Sequence, residues 1–132
     1  MKELELATLK EFNRIAKQNF IPEQNQYSRF DAKNKNYIME IKCRKTHYED
    51  QLIEFDKFSY NLLYAKFNKI DFLYLVKSKK QLNVFNISKM YKNNYNFRWH
   101  WREMPKTTEF DNKYNLLKYV GYVHLLNSHR LK

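Results

Sequence analysis

The sequence predicts an α+β (α/β) fold in which helices flank a mixed central β-sheet. Apolar side chains change along the chain from helical spacing to strict alternation, in the order helix, hairpin, helix, strand and strand. The chain has 132 residues, of which 43% are hydrophobic, and this is enough for one core. We therefore expect a single domain over residues 1–132.

The first third of the chain predicts a helix followed by a β-hairpin. Residues 2–18 repeat apolar side chains at helical spacing, and the helical region ends by Pro22. Residues 27–32 and 37–44 have the pattern of two strands around a polar turn. The second strand alternates between two faces, formed by Met39, Ile41 and Cys43 on one side and by Glu40, Lys42 and Arg44 on the other.

The middle of the chain predicts a helix and a second hairpin. Residues 49–66 have the clearest helical spacing, with acidic residues near the start and Lys66 near the end. Residues 70–77 are apolar on both faces, which is typical of a central strand. Residues 81–87 alternate as its hairpin partner, and residues 88–93 fit either a short helix or a loop.

The C-terminal part is basic and aromatic. Residues 97–102 alternate strictly, and residues 114–126 fit either a strand or a helix. Large aromatic side chains are usually buried, so we expect Trp99 and Trp101 to fill the core. The arginines between them, Arg98 and Arg102, are candidates for binding a nucleic-acid backbone.

The formal net charge of +11 indicates a polyanionic partner. Residues 67–132 carry 13 Lys/Arg against 4 Asp/Glu, whereas residues 1–26 are balanced. Basic side chains on phosphates release counterions, so this imbalance favours binding to nucleic acid. An A·T-rich genome, such as that of a phage, would also favour Lys, Asn, Tyr, Phe and Ile. Codon bias does not explain why acidic residues are scarce in the second half.

Several other kinds of site are excluded or disfavoured. Cys43 is the only cysteine, so the chain has no disulfide framework and no cysteine-based zinc site, and we expect a buried core thiol. The four histidines have no helical metal spacing, and Gly121 alone cannot form a glycine-rich phosphate loop. No apolar run approaches the roughly 18 residues of a membrane span. We therefore expect an intracellular, cytoplasmic protein without a membrane partner.

An acidic pair followed by a lysine is the main candidate site. Eight residues separate Asp31 from the triplet Glu40-Ile41-Lys42. Mg²⁺ prefers hard oxygen ligands, so two nearby carboxylates can hold it and leave positions for phosphate and water. A lysine beside them can orient or deprotonate the attacking water. This combination is what hydrolysis of a phosphodiester requires.

The spacing allows the two carboxylates to meet. If the turn centres on residues 35–36, Asp31 lies directly opposite Glu40, with Cβ atoms about 4.5–5.5 Å apart. Lys42 then lies on the same face and opposite Arg29. A shift of one residue in register would place the carboxylates on different faces. The sequence therefore permits the site without requiring it.

Chance also produces such triplets in a lysine-rich chain. The (D/E)-x-K pattern occurs at residues 31–33, 40–42 and 111–113. Only the second lies on an alternating strand, has an aspartate at hairpin distance upstream, and precedes a helix and a central strand. The alternative for this triplet is an ordinary amphipathic strand with a solvated Glu and Lys.

This order of elements around Asp31 and the Glu40-x-Lys42 triplet resembles the core of the PD-(D/E)XK nuclease superfamily. The resemblance covers residues 2–87, about two thirds of the chain, and leaves residues 88–132 as a basic aromatic extension. It implies a restriction endonuclease-like core of the αβββαβ type. The implied catalytic residues are Asp31, Glu40 and Lys42, and the implied ligands of Mg²⁺ (or Mn²⁺) are Asp31, Glu40 and the backbone carbonyl of Ile41. Phe30 stands where a proline often precedes the aspartate.

The resemblance also implies supporting residues on the two helices. A glutamate of the first helix often faces the site, and Glu5 and Glu11 are both candidates. The next helix often adds a polar side chain, for which Lys57 and Tyr60 are candidates. The predicted nucleic-acid-binding residues are Arg29, Arg44, Lys57, Arg98 and Arg102.

The sequence therefore predicts a metal-dependent endonuclease acting on nucleic acid, with DNA expected before RNA. A chain of this size has little surface for reading bases, so selection of a DNA structure is expected, and a homodimer would suit cutting of two strands. One alternative is a nucleic-acid-binding module without turnover, which metal dependence would distinguish. Another is a basic interaction protein with no nucleic-acid role, which would lack steep salt dependence of DNA binding.

Overall fold

The strands of this chain form two sheets, of which the larger carries the candidate site. The computed structural model describes residues 1–25, 27–105 and 115–132. The helices are α1 (Glu3–Ala16), α2 (Phe55–Phe67) and α3 (Ile87–Lys92), with one 3-10 turn at Leu125–Asn127. The strands are β1 (Ile21–Pro22), β2 (Ala32–Lys33), β3 (Tyr37–Arg44), β4 (Asp50–Glu54), β5 (Asp71–Ser78), β6 (Gln81–Asn86), β7 (His100–Pro105), β8 (Asn115–His124) and β9 (His129–Arg130).

The larger sheet is mixed, which confirms the predicted fold class. Its strand order is β1-β2-β3-β5-β6-β9, and the smaller sheet has the order β4-β8-β7. Strands β3 and β5 are parallel, and the other neighbours are antiparallel. The C-terminal residues contribute to both sheets, because β8 pairs with β4 and β9 pairs with β6.

Strand β5 is central, as its two-sided apolar pattern predicts. On one face Leu73 and Leu75 join a cluster with Leu9 of α1. On the other face Phe72 and Tyr74 join a cluster with Phe58 of α2. Full burial of such a side chain contributes about 1.5–3 kcal/mol. Burial on both faces of β5 thus fixes α1 and α2 on opposite sides of the larger sheet.

The predicted helix at residues 49–66 is wrong in its first part, because residues 50–54 form β4 and the helix begins at Phe55. Gln51 and Ile53 are buried on one side of β4, which is the alternation of a strand. An apolar run this short fits both the helical spacing of apolar residues and the alternation of a strand. Its partner β8 lies more than sixty residues further along the chain. The long-range pairing therefore decides the outcome.

Two other boundaries differ from the predictions. The strand predicted at 27–32 is reduced to β2, and the strand predicted at 97–102 begins at His100. Arg98 has a positive φ of 57°, which interrupts extended backbone there. The segment predicted as strand or helix at 114–126 is a strand from Asn115 to His124.

The expectation that both tryptophans are buried is wrong for Trp101, which is 67% exposed. Its strand β7 lies at the edge of the smaller sheet. Trp99 is half-buried and packs against Phe58 with ring centroids 4.7 Å apart. Cys43 is half-buried on the α1 side, 3.4 Å from the hydroxyl of Thr8. In the described ranges no helix is long and apolar enough to cross a membrane.

Gly121 is required by crowding where β8 passes the segment before β7. A Cβ atom at this position would lie 2.8 Å from the carbonyl oxygen of Phe97 and 2.8 Å from a ring carbon of Trp99. The Phe97 carbonyl is held by a 2.8 Å hydrogen bond from the Tyr122 amide, so it has little freedom to move.

We predict that Gly121→Ala lowers the free energy of unfolding by about 1–3 kcal/mol, the usual cost of overpacking. Urea denaturation measures this as a lower midpoint at an unchanged slope. The control is Leu126→Ala, at a side chain that is 88% exposed, and it should stay within about 0.5 kcal/mol of the wild type. Equal midpoints for Gly121→Ala and the wild type would contradict the packing described here.

Candidate active site

Asp31 lies directly before β2, where the pairing of β2 with β3 ends, and its charge acts on Glu40. Ala32 pairs with Met39 and Lys33 pairs with Ile38, which is the predicted register. The Asp31 amide donates a 2.8 Å hydrogen bond to the carbonyl of Met39, the residue that already pairs with Ala32, so the strand is irregular at this point. The predicted register is therefore confirmed for these two pairs, and the regular ladder stops at Asp31, whose carbonyl accepts a hydrogen bond from the Glu23 amide on the other side.

The Asp31 side chain accepts a hydrogen bond from β3 that the backbone of a longer β2 would otherwise accept. Its Oδ2 accepts a 2.7 Å hydrogen bond from the Ile41 amide, which a backbone carbonyl would accept in a longer β2. The amide and carbonyl of one strand residue point to the same neighbour. The Ile41 carbonyl therefore also faces this open edge of β3. Burial raises the pKa of Asp31, against the opposing effect of the Ile41 hydrogen bond, and the charge of Glu5 raises it further.

Glu40 is a buried carboxylate with an unsatisfied oxygen. The residue is 4% exposed and lies on the side of the sheet that α2 covers. Its Oε1 lies 3.5 Å from the ammonium of Lys57, whereas Oε2 is buried without a hydrogen-bond partner. Burial raises the pKa of Glu40 to about 7, although the charges of Lys57 and Lys42 act in the other direction. A buried oxygen of this kind is costly unless another group satisfies it.

Two lysines lie beside the carboxylates. Lys42 follows Glu40 on the same face of β3, and burial together with the charge of Lys57 lowers its pKa. Lys57 bridges Glu40 and Glu54, whose Oε2 is 3.6 Å away. Burial lowers the pKa of Lys57, but the charges of these two glutamates outweigh burial and raise it. The predicted second-helix residue Lys57 therefore belongs to the cluster.

The donor set fits a single hard cation with several waters. It consists of the Asp31 and Glu40 carboxylates and the Ile41 carbonyl at the open edge of β3. Among residues 1–25, 27–105 and 115–132, no group of three or more His, Cys, Asp and Glu side chains is arranged to hold a metal. Mg²⁺ does not need such a group, because it is commonly bound by one or two carboxylates together with waters and substrate phosphates. The unsatisfied Oε2 of Glu40 is the clearest indication of fit.

The geometry separates the two first-helix candidates. The charge of Glu5 acts on Asp31 and raises its pKa, which places Glu5 near the site. Glu11 instead forms ion pairs with Lys77 at 2.9 Å and Lys132 at 3.2 Å. These contacts hold α1 against β5 and the C-terminus. Of the two candidates, Glu5 is therefore the one whose charge acts on Asp31.

Arg29 does not lie opposite Lys42, because β2 ends before it reaches this residue. Arg29 instead contacts Asp56 at 3.4 Å and lies 5.4 Å from the ring centre of Tyr60. This contact keeps Tyr60 outside the cluster and leaves Arg29 half-exposed beside the N-terminal turn of α2.

The remaining predicted nucleic-acid-binding arginines lie in two places. Arg44 donates to the Leu52 carbonyl at 3.4 Å, and its Nε is buried without a partner, so it faces the interior between β3 and β4. Arg98 pairs with Asp50 at 3.2 Å, and Arg102 donates to the Tyr122 hydroxyl at 2.7 Å. Arg102 thus lies on the smaller sheet and Arg98 in the segment before β7, and both are exposed.

Sequence reasoning missed Glu54 and Lys118. Lys118 of β8 binds Glu54 Oε1 at 2.7 Å, while Lys57 approaches the other oxygen of the same carboxylate. Glu54 falls within the helix predicted at residues 49–66, and Lys118 lies 64 residues away along the chain. Only the pairing of β4 with β8 brings them together. No local signal identifies such a pair.

Comparisons with protein-family models, curated proteins and solved structures find no match for this chain. The interpretation of the site therefore depends on the geometry described above.

We predict that Glu40→Gln stabilises the metal-free protein at pH 8 by about 1–3 kcal/mol. The pKa of Glu40 is raised, so the folded state loses stability as the pH rises from 4.5 through about 7. Glutamine removes this loss, and Lys57 keeps Glu54 as its partner. Urea midpoints in EDTA at pH 5 and pH 8 measure the effect, which should be larger at pH 8.

Glu54→Gln is the matched control with the opposite sign. Burial raises the pKa of Glu54, but the hydrogen bond from Lys118 and the charge of Lys57 outweigh it and lower the pKa overall. Its contribution to stability is present above its ordinary pKa and is lost as the pH falls. Glu54→Gln should therefore destabilise the protein at pH 8. Destabilisation of the same size by both variants would contradict the account of Glu40.

Proposed function

We propose that this chain is a metal-dependent nuclease, a protein that hydrolyses phosphodiester bonds of nucleic acid. More particularly, we propose an endonuclease that cuts DNA with Mg²⁺ (or Mn²⁺). The observation that carries this proposal is the buried Glu40 carboxylate, whose Oε2 has no partner and which lies beside Asp31 at the open edge of β3.

Asp31, Glu40 and the Ile41 carbonyl would hold the cation. When bound, the ion supplies Lewis-acid activation of the phosphate and lowers the pKa of a bound water. The protein residues perform the remaining tasks. Asp31 is kept in place by the Ile41 amide, so its second oxygen can face the ion without loss of the 2.7 Å bond.

The lysines have distinct roles in this proposal. Lys42 forms no ion pair or hydrogen bond within the described ranges, so its ammonium is available to orient the attacking water and to stabilise negative charge on the phosphate. Lys57 is tied to Glu40 and Glu54. It therefore positions Glu40 and offsets the cost of its burial.

Charge supports nucleic acid as the partner. The net charge is +11, and Lys118, which binds Glu54 beside the cluster, pairs across the smaller sheet with the exposed Arg102. DNA is the substrate proposed first, and selection by nucleic-acid structure suits a chain with little surface for reading bases. A homodimer would suit cutting of both strands.

The second candidate function is nucleic-acid binding without turnover. One observation favours it, since the Lys57 ammonium lies 3.5 Å from Glu40 Oε1 and so already provides a positive charge at the carboxylate. A domain of this kind would bind DNA equally well with and without Mg²⁺. Metal dependence therefore separates the two functions.

We predict that the purified protein nicks or linearises supercoiled plasmid with Mg²⁺ or Mn²⁺ and is inactive in EDTA. Asp31→Ala removes a proposed metal ligand and should abolish cutting. Lys42→Ala should lower the rate by about 100-fold or more, the usual effect of losing a group that assists proton transfer. Gel assays under single-turnover conditions measure both effects.

Lys92→Ala is the control, because this lysine is exposed on α3 and its loss changes the net charge equally. It should retain wild-type cutting. If folded protein binds plasmid, single-stranded and branched DNA but cuts none of them, the binding module replaces the nuclease. If Lys42→Ala and Lys92→Ala cut equally, Lys42 has no role in the chemistry.

A further inference from the structure

A pocket lies where the start of α2 meets the smaller sheet. Its volume is about 370 Å³, within the range of small-molecule sites. Its apolar lining is provided by Phe55, Trp101, Leu117 and Tyr119. We call these four residues and the space between them the aromatic pocket. Flat apolar walls of this kind suit a planar ring.

Trp101 gives the pocket an available stacking surface. The residue is 67% exposed, although large aromatic side chains are usually buried. The Tyr119 ring packs against the Trp101 ring, with their centroids 5.1 Å apart. The Phe55 ring packs edge-on against the Tyr119 ring, with a centroid distance of 5.2 Å. These contacts fix the wall and leave most of the indole open to solvent. An exposed, supported indole is how many proteins bind unpaired bases.

The aromatic pocket adjoins the candidate active site. Glu54 lines the pocket and lies 3.6 Å from Lys57, which in turn lies 3.5 Å from Glu40. Only two consecutive ion pairs therefore separate the pocket from the proposed metal ligand. A group in the pocket would belong to a nucleotide close to the phosphate at Asp31 and Glu40.

Basic side chains run along the neighbouring strands. Lys118 lines the pocket, and Arg102 lies directly across from it in the pairing of β7 with β8, with its side chain on the opposite face of β7 from Trp101. Arg98 lies 5.2 Å from the ring centre of Tyr122 on the same sheet. Of these basic side chains, Lys118 lines the pocket and could neutralise a phosphate of a bound strand. The two carboxylates that line the pocket are both in ion pairs. Glu54 binds Lys118 and Asp56 binds Arg29, so they repel the phosphates of a bound strand only weakly.

We propose that the aromatic pocket holds an unpaired nucleobase of the strand being cut, stacked on Trp101. This inference rests on the proposed function, because it assigns the pocket to the substrate of the same site. The substrate class is then nucleic acid with an unpaired nucleotide beside the scissile phosphate. Both a free single strand and the single-stranded arm of a branched duplex have this chemistry.

The test measures binding in EDTA, so it does not depend on cleavage. The probes are an oligothymidylate strand, a blunt duplex, and the same duplex with an oligothymidylate overhang. We expect the strand and the overhang to quench tryptophan fluorescence, and the duplex to do so much less. Trp101→Phe should remove the quenching but keep most of the affinity, because the remaining Trp99 is packed against Phe58.

Trp101→Ala should weaken binding of both single-stranded probes by about 5- to 100-fold, the usual effect of losing one base stack. Phe67→Ala is the control, since this aromatic side chain is 86% exposed at the other end of α2, and it should bind as the wild type does. A strand with one abasic position at the stacked nucleotide should bind the wild type more weakly and lose no further affinity in Trp101→Ala.

The outcomes distinguish a free single strand from a branched duplex as the source of the base, and they test the base-binding pocket separately from the nuclease activity. Binding of the overhang but not of the free strand would identify a branched substrate, and binding of both would identify single strands. If Trp101→Ala binds as the wild type does, or weakens the blunt duplex equally, the pocket does not hold an unpaired base. That result would leave metal-dependent cleavage standing. Failure of cleavage would leave base-dependent binding unaffected.

Discussion

The hydrogen bond from the Ile41 amide to the Asp31 carboxylate is the interaction on which the candidate site depends. It lies where the two-residue strand β2 ends, and it holds the Asp31 side chain against the backbone of Ile41, the residue that follows Glu40. A longer β2 would bind both the amide and the carbonyl of Ile41 and would close this edge. The Asp31 side chain therefore takes the place of strand backbone and leaves the Ile41 carbonyl open near the Asp31 and Glu40 carboxylates. Because Asp31 occupies part of this edge of β3, the edge is not fully exposed to another chain.

Burial of Glu40 is the cost that accompanies this arrangement. Removing a carboxylate from water is unfavourable, and one of its oxygens remains unsatisfied. Lys57 offsets part of this cost and is itself held by Glu54, which binds Lys118 of the smaller sheet. The alternating charges connect the two sheets at the proposed metal site. They also explain why the basic and aromatic residues of β7 and β8 lie beside the site and do not form a separate tail.

The sequence contains enough local information to propose the register of β2 and β3. Alternation in β3 and the short polar turn before it favour this register, which the pairing of Ala32 with Met39 confirms. The central position of β5 follows equally from its apolar faces. The start of α2 could not be predicted in the same way, because β4 is a strand only through its pairing with β8. The contact of Glu54 with Lys118 depends on the same distant pairing.

The exposure of Trp101 has the same physical origin as these missed contacts. Alternation shows which side chains share a face of a strand, but it does not show whether another element covers that face. In this chain the edge position of β7 leaves Trp101 uncovered, whereas Trp99 packs beside α2. The choice between Glu5 and Glu11 was open for a similar reason, since it depends on which end of α1 lies near Asp31.

The most direct test of the central claim is to locate a bound divalent cation by NMR. Mn²⁺ is paramagnetic and broadens nearby amide signals, so small amounts added to ¹⁵N-labelled protein report its position. We predict that broadening is centred on Asp31 and on residues 40–42, and that it is lost in Glu40→Gln. Broadening centred on other acidic residues, or equal broadening in the wild type and Glu40→Gln, would show that the carboxylate pair does not hold the metal.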